Sequence, residues 1–171
     1  MRQPESYIDF AVYENGSEFI GVASATLPTV GFITQSISGA GIGGNIDAVI
    51  AGFLDAMSLT FNFRSVSDAA TGLMSPVKHQ LDLRVAEQYW NTTAAQKEVQ
   101  ADKYVVVVIP KTTNLGNVAP ASAADVSGEY SVYYFAGFKN GQTLFELDPW
   151  NQKCVIGGED YYAPVKKALG K

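Results

Sequence analysis

Two side chains could support nucleophilic or metal chemistry, and each is the single residue of its type, His79 and Cys154. A histidine can activate a cysteine as a nucleophile, and a helix N-terminus beside the cysteine helps to form the thiolate. The residues around Cys154 predict no such helix, so we expect a small buried or half-buried thiol. His79 follows Pro76-Val77-Lys78, and we expect it on the surface at the start of a strand.

Metal binding needs several His, Cys or clustered acidic side chains, which one histidine and one cysteine do not supply. We therefore predict no metal site, no cofactor and no catalytic residue. The acidic pair Glu159-Asp160 could do acid–base chemistry. It also precedes a predicted helix over residues 164–169, where negative charge near the N-terminus is favourable. We interpret the pair as a helix cap.

The segment Gly39-Ala40-Gly41-Ile42-Gly43-Gly44 matches the spacing G-x-G-x-x-G. In a dinucleotide-binding fold this loop joins a strand to a helix, and an acidic residue follows about 20 positions later, roughly where Asp68 stands. The rest of the chain lacks alternating β-α-β units. A nucleotide-binding α/β enzyme is therefore the alternative, and a flexible hairpin tip is the favoured interpretation.

Composition limits the possible partners. The 171 residues suit one domain, and 17% are charged, below the roughly 25% that is typical of soluble domains. The net charge of −5 does not favour a grip on nucleic acid, because phosphates are bound by Lys and Arg. The apolar run at 104–110 is too short to cross a bilayer, so we expect no membrane insertion. A lone cysteine fits folding in a reducing cytoplasm.

The alternation of polar and apolar residues predicts a mainly β (α+β) domain. Asn15-Gly16 and Asn140-Gly141 are typical of tight hairpin turns. Strands are predicted at 7–13, 19–22, 32–38, 58–63, 80–89, 104–109, 129–138 and 142–147. Helices are predicted at 66–74, with Ser67 or Asp68 as the cap, at 92–100 and at 164–169. Residues 45–57 are ambiguous, because a helical stripe there is interrupted by Gly52.

An aromatic cluster lies in the predicted strand at 129–138. Its members are Tyr130, Tyr133, Tyr134, Phe135 and Phe138. Such side chains could stack on sugars or bases, which leaves a carbohydrate-binding β-sandwich as a further alternative. On alternating strand positions they more often form core and interface, and this is what we expect.

Taken in order, several segments resemble the major tail tube protein family of contractile-tailed bacteriophages, which phage-tail-like bacteriocins also use. The resemblance runs over nearly the whole chain and is weakest at 66–74, 91–102 and 111–128. The segments that carry it are Tyr13-Glu14-Asn15-Gly16, Phe19-Ile20-Gly21-Val22, Leu27-Pro28, Gly39-Ala40-Gly41-Ile42-Gly43, Met57-Ser58-Leu59-Thr60-Phe61, Tyr134-Phe135, Asn140-Gly141-Gln142-Thr143-Leu144-Phe145-Glu146-Leu147-Asp148, Asn151, Tyr161-Tyr162-Ala163-Pro164 and Ala168-Leu169-Gly170.

The resemblance implies one tail tube domain over residues 1–171, an antiparallel β-sandwich or half-barrel with a flanking helix. It implies a structural protein, not an enzyme, in a virion tail or bacteriocin particle assembled in the host cytoplasm. Strands of neighbouring copies would join into one multi-subunit β-barrel. The implied partners are other copies in stacked hexameric rings, a sheath, a baseplate, a tail terminator, and DNA or a tape measure in the channel. A type VI secretion-like tube is the alternative.

Within that assembly we predict two functional surfaces. Polar strand faces opposite the core should line the channel, because their apolar counterparts must be buried. These residues are Thr34, Ser36, Ser38, Ser58, Thr60, Asn62, Asp82, Arg84, Glu129 and Ser131, and their three charged members sum to one negative charge per subunit. A projecting hairpin over about 32–57 should contact the next ring. Its loop residues are Gly39, Gly41, Ile42, Gly43 and Gly44.

Overall fold

The computed structural model describes residues 1–19 and 21–171, and antiparallel strands make up most of this part of the chain. The strands are β1 (Arg2–Glu14), β2 (Ser17–Phe19), β3 (Val22–Thr26), β4 (Phe32–Ile37), β5 (Ile46–Leu54), β6 (Ser58–Phe63), β7 (His79–Asn91), β8 (Gln96–Asn114), β9 (Val126–Lys139), β10 (Gln142–Asp148), β11 (Lys153–Ile156) and β12 (Glu159–Asp160). The helices are α1 (Asp68–Gly72) and α2 (Ala163–Ala168). Neither helix in these ranges has the length and apolarity that a membrane crossing requires.

The main sheet branches at β9. Its strands run in the order β12-β11-β10-β9-β8-β7-β1-β2, and β6 also pairs with β9 and carries β3 on its other edge. Strands β4 and β5 form a separate two-stranded sheet, and the sheets do not close into a barrel. The mainly β fold class is therefore confirmed.

A bulge in the β8–β9 ladder keeps the core residues of β9 on one side. The register shifts between Val107 and Val108, so that Tyr133 is left without a direct partner on β8. Side chains alternate along a strand, and one extra residue reverses the alternation. Val132 and Phe135 are accordingly both buried although three positions separate them.

The core lies against one face of this sheet and includes the α1 region. Its fully buried members come from β1, β6, β7, β8, β9, β10, β11 and the α1 region. They include Val12, Leu59, Phe61, Leu73, Leu81, Leu83, Val106, Val108, Tyr130, Leu147 and Cys154. Burial of Cys154 agrees with the expectation of a buried thiol.

Two glycines of β9 are covered by aromatic rings. A Cβ at Gly128 would collide with the Tyr130 side chain, and one at Gly137 would collide with the Phe145 ring. Phe145 is also the direct partner of Gly137 on β10. These positions have no side chain because the rings occupy the space that a side chain would need.

The local turn and capping signals were mostly correct. Asn15, Gly16, Asn140 and Gly141 all have positive φ, as a tight turn joining two antiparallel strands requires. Helix α1 begins after Ser67, whose Oγ accepts a hydrogen bond from the Ala70 N–H at 3.3 Å. The helix predicted at 66–74 therefore exists in shorter form, and the helix predicted at 164–169 exists with a shift of one residue.

The ambiguous segment at 45–57 is mainly strand, and the helix predicted at 92–100 was wrong. The segment 45–57 contains strand β5, which pairs with β4 from Ile37↔Ile46 to Phe32↔Leu54. The segment 92–100 contains a turn and the start of β8, whose first pair with β7 is Asn91↔Gln96. In both cases pairing with a neighbouring strand overrides the local helical spacing.

The acidic pair does not cap the last helix. Glu159 and Asp160 form β12, and the N-cap position of α2 is Tyr162, which makes no side-chain cap. The Asp160 carboxylate instead accepts hydrogen bonds from the backbone N–H groups of Tyr162 at 3.0 Å and Cys154 at 3.4 Å. It therefore ties the end of β12 to β11.

Replacement of Tyr130 by phenylalanine should stabilise the domain. The Tyr130 hydroxyl is buried and makes no hydrogen bond, and an unsatisfied buried polar group costs about 1–3 kcal/mol. We expect Tyr130→Phe to raise the free energy of unfolding by about 1 kcal/mol in urea titrations. The matched control is Tyr104→Phe, which removes a hydroxyl near Tyr7 on a half-buried ring and should not raise it. An equal decrease of the free energy of unfolding in both variants would show that the Tyr130 hydroxyl has a hydrogen-bond partner.

The same two tyrosines make the domain sensitive to alkali. Burial raises the pKa of Tyr130 to about 12, and burial with the Tyr7 hydrogen bond raises the pKa of Tyr104 to about 12. Between about pH 10 and 12 the unfolded chain loses these protons and the folded chain keeps them, so stability falls as pH rises. Urea midpoints across this range should drop less for Tyr130→Phe than for the wild type. An identical drop of the urea midpoint in Tyr130→Phe and the wild type would contradict the raised pKa of Tyr130.

Candidate assembly surfaces

The predicted polar side chains of β6 and β9 form one surface. Ser58 pairs directly with Ser131, and Thr60 pairs directly with Glu129. Paired residues of neighbouring strands point to the same side, and the intervening Leu59 and Tyr130 are fully buried on the other side. We call this surface, with Asn62, the polar face.

The polar face continues onto the flanking strands. Thr60 pairs with Thr26 of β3, and Glu129 pairs with Thr112 of β8. The Asn62 amide donates a hydrogen bond to the Ser24 hydroxyl at 2.9 Å. Hydroxyl and amide side chains thus cross four strands in register.

The charged residues predicted for the channel have local partners that the sequence did not indicate. Lys111 Nζ lies 3.3 Å from a Glu129 carboxylate oxygen, and Lys103 Nζ lies 3.6 Å from one of Asp82. The Arg84 guanidinium sits 4.5 Å from the centre of the Tyr13 ring. The predicted charge of −1 per subunit did not include these two lysines. Because each lysine lies beside one carboxylate, the charges of Glu129 and Asp82 are locally neutralised.

An apolar strip interrupts the polar side chains between β9 and β7. On β8, Val106 and Val108 are buried, whereas Val105, Val107 and Ile109 point to the opposite side and are half-buried. This part of β8 is thus apolar on both faces. The residues Asp82 and Arg84 on β7 are therefore separated from the polar face by this strip.

Strands β4 and β5 form a hairpin with two unlike faces. Ile37 and Ile46 are direct partners on one face, where Ile50 follows by alternation, while Ser36 pairs with Asp47 on the other. The exposed fractions of Ile37, Ile46 and Ile50 are 42%, 56% and 39%. We call this side the isoleucine face. The predicted channel residues Thr34, Ser36 and Ser38 belong to this hairpin segment and not to the polar face.

The glycine loop does not have the setting of a dinucleotide site. Residues 39–44 connect β4 to the antiparallel β5, where a dinucleotide-binding loop would lead from a strand into a helix. The loop contains a turn in which the Ile42 N–H donates to the Gly39 carbonyl at 3.2 Å. The hairpin-tip interpretation is confirmed for this loop, and the nucleotide-binding alternative loses its structural basis.

His79 is buried, which corrects the expectation of a surface residue. Its exposed fraction is 5%, its Nδ1 lies 2.8 Å from a Glu14 carboxylate oxygen, and its Nε2 lies 3.0 Å from the Ser75 carbonyl oxygen. Both ring nitrogens are thus engaged away from Cys154, so no Cys–His pair forms. In the described ranges no group of three or more His, Cys, Asp or Glu side chains is placed to hold a metal.

One buried ionic cluster was missed by sequence reasoning. Glu87 of β7 accepts hydrogen bonds from Tyr89 at 2.9 Å and from Lys139 at 3.0 Å. Burial favours a higher pKa for Glu87, but Lys139, Asp102 and Tyr89 beside it outweigh this effect and lower the pKa. Burial and the neighbouring Glu87 raise the pKa of Asp102, whose Oδ1 makes no hydrogen bond. The cluster joins β7, β8 and β9 through side chains far apart in sequence.

The aromatic cluster divides between core and surface, as expected. Tyr130 and Phe135 are buried, whereas Tyr133 at the β9 bulge is 36% exposed. Trp150, in the turn between β10 and β11, is 79% exposed and meets the Tyr133 ring edge to face at 6.5 Å. No sequence pattern had indicated Trp150. Exposed Trp and Tyr are enriched in protein interfaces.

Among the strands of the main sheet, β1 and β3 each have an edge that is open over most of its length within the described residues. Strand β1 pairs with β7 along its length, but β2 covers only Val12–Glu14 on the other side. Strand β3 pairs with β6 alone. Open edges present unpaired N–H and C=O groups that can bind another strand.

Comparison with known proteins places these surfaces in context. A model of the family described as phage tail tube protein FII matches residues 4–170, nearly the full length of the sequence. No match was found among curated proteins. The resemblance noted in the sequence is therefore confirmed at the level of the tail tube. The chain belongs to the phage tail tube protein FII family, whose members are structural components of the virion tail.

Proposed function

We propose that this chain assembles into six-membered rings that stack into the hollow inner tube of a contractile phage tail or phage-tail-like particle. The tube would conduct DNA or effector proteins, surrounded by a sheath and bounded by a baseplate and a tail terminator. Family membership supports the tail tube role. The observation that carries the ring arrangement is the pair of open edges on β1 and β3.

Closure of a ring would supply partners for the unpaired backbone groups at these edges. A sheet that neither closes on itself nor covers its edges tends to pair with other chains. Full closure into a barrel removes the edges altogether. A ring in which each subunit joins its strands to those of the next subunit would give every edge a partner.

The polar face supports the assignment of a channel lining. Its residues Ser58, Thr60, Asn62 and Ser131 carry small uncharged polar groups, and Glu129 is paired with Lys111. Polymeric phosphate is bound by Lys and Arg that are free to release counterions. A surface of hydroxyls, amides and neutralised ion pairs would neither hold nor strongly repel nucleic acid as it passes.

The β4–β5 hairpin supports an axial contact between rings. A two-stranded hairpin alone is marginally stable in water, and this one leaves an apolar face exposed. Contact with the next ring would cover it, and the glycine loop 39–44 would lie at that contact. Thr34, Ser36 and Ser38 would then face the channel from the hairpin.

Electron microscopy of the purified chain should show tubes with sixfold symmetry in the wild type. Deletion of residues 39–44 should leave a folded subunit that does not form long tubes, because the tip of the axial contact is lost. The matched control deletes residues 118–123, the same number from an exposed loop closed by a hydrogen bond from the Asn117 N–H to the Ala124 carbonyl. Long tubes from the first variant, or their loss in both variants, would contradict the role of the glycine loop.

The channel assignment of the polar face can be tested by thiol labelling. In assembled tubes of Thr60→Cys we expect reaction with a small maleimide and slow reaction with a maleimide on a large polymer. Free subunits should react with both, and the native Cys154 stays silent because it is 1% exposed. The control is Ser122→Cys in an exposed loop. Fast polymer labelling of Thr60→Cys in tubes would place the polar face outside, and no labelling by either reagent would place it in an interface.

A further inference from the structure

An apolar groove opens at the end of the core beside the open edge of β1. It has a volume of about 290 Å³ and is lined by Tyr7, Ile8, Phe10, Leu27, Val85 and Tyr104, among others. Phe10 and Val85 are direct partners on β1 and β7, next to the pair Val12 and Leu83 of the buried core. The groove, which we call the seam groove, is thus a continuation of the core that the described residues leave uncovered.

The groove is open because the covering strands stop short. Strand β3 ends at Thr26, so Leu27 is the last residue from that side to reach over the groove. On the other side the described residues of β2 pair with β1 only as far as Val12. Ile8 at the groove edge is 54% exposed and Tyr7 is 61% exposed. Apolar side chains at these positions favour a cover that removes them from water.

The isoleucine face of the hairpin has the complementary chemistry. Strands β4 and β5 contain a single charged residue, Asp47, which lies on the opposite face from Ile37 and Ile46. On the opposite face Val49 lines a cleft with Ile156 and Tyr161 at the hairpin base. The three isoleucines remain 39–56% exposed, so they are available to a partner.

A tube of stacked rings requires two complementary surfaces on each subunit. Stacked rings are related head to tail, so the contact along the axis joins two different patches of the same chain. The isoleucine face and the seam groove are both apolar, and they lie on different elements, β4–β5 in the first case and β1, β7 and β8 in the second. The groove has room for a few aliphatic side chains and not for a folded domain, which fits the tip of a hairpin.

We propose that the seam groove receives the isoleucine face of the β4–β5 hairpin from a second copy of this chain in the adjacent ring. This inference rests on the proposed tube and names the receiving surface of its axial contact. Ile37 and Ile46 of one subunit would then pack against Ile8, Phe10 and Val85 of the other. The docked hairpin would complete the core of its neighbour.

Disulfide trapping in assembled tubes tests the contact. The double variant Ile8→Cys with Ile37→Cys should give a ladder of covalent oligomers on non-reducing gels after mild oxidation, because each subunit links to one above and one below. A mixture of the two single variants should give covalent dimers only. The matched control pairs Ile8→Cys with Ser36→Cys, one residue away on the opposite face of β4, and should give no ladder.

The outcomes separate this inference from the proposed function. Tubes without a ladder, or an equal ladder in the Ser36→Cys control, would overturn the groove assignment and leave the tube intact. Covalent dimers from Ile37→Cys alone would show that hairpins meet each other, and would also overturn it. Failure of the wild-type chain to form tubes would remove the proposed function itself.

A second measurement applies if the cysteine variants do not assemble. Ile8→Ala and Ile37→Ala should each raise the critical concentration for tube formation by about tenfold, since each removes apolar contact area. If the two side chains touch, the double variant should raise it by clearly less than the product of the single effects. A simple product of the two effects would show that they do not touch.

Discussion

The constraint on which the fold depends is the pairing of β9 with three strands. It pairs with β8 along most of its length, with β6 in its first half and with β10 in its second half. On one edge, β9 pairs first with β6 and then with β10. Its core residues must stay on the same side of the sheet where the partner changes. The bulge at Tyr133 does this, because the extra residue restores the inward direction for Phe135.

The branch also determines where the sheet stays open. Strand β6 leaves the edge of β9 and takes β3 with it, while β8, β7 and β1 extend from the other edge. The arms that carry β3 and β1 leave β9 from opposite edges, and within the described residues no strand pairs with both of them. Backbone groups at such edges cost free energy when they are buried without partners. The same arrangement that forms the core thus leaves edges that a neighbouring copy can satisfy.

Short-range features of this fold could be predicted from the sequence. Asn15-Gly16 and Asn140-Gly141 predicted two hairpins correctly, because positive φ is a local property of those residues. Alternation also predicted β6 and β7, because one side of each strand is buried. These signals need no knowledge of the partner strand.

Features that depend on distant partners could not be predicted. The spacing of Ile46, Val49, Ile50 and Phe53 fits a helix as well as a strand, and only pairing with β4 decides between them. His79 is buried because Glu14, 65 positions away, supplies an acceptor for its ring. The polar face was predicted in its parts, but the apolar strip on β8 and the partners Lys103 and Lys111 depend on strand order.

Charge and apolar contact have opposite effects on assembly of this chain. Every copy carries a net charge of −5, so copies repel one another at long range, and this repulsion keeps free subunits apart. The ion pairs are mostly exposed and contribute little to stability. In the proposed tube, attraction would come from the open edges and from apolar surfaces such as the isoleucine face, which act only at contact. Because a lone hairpin is marginally stable, the proposed docking would also supply the free energy that orders it. Such a contact would favour the addition of subunits to an existing tube end over the first association of free subunits.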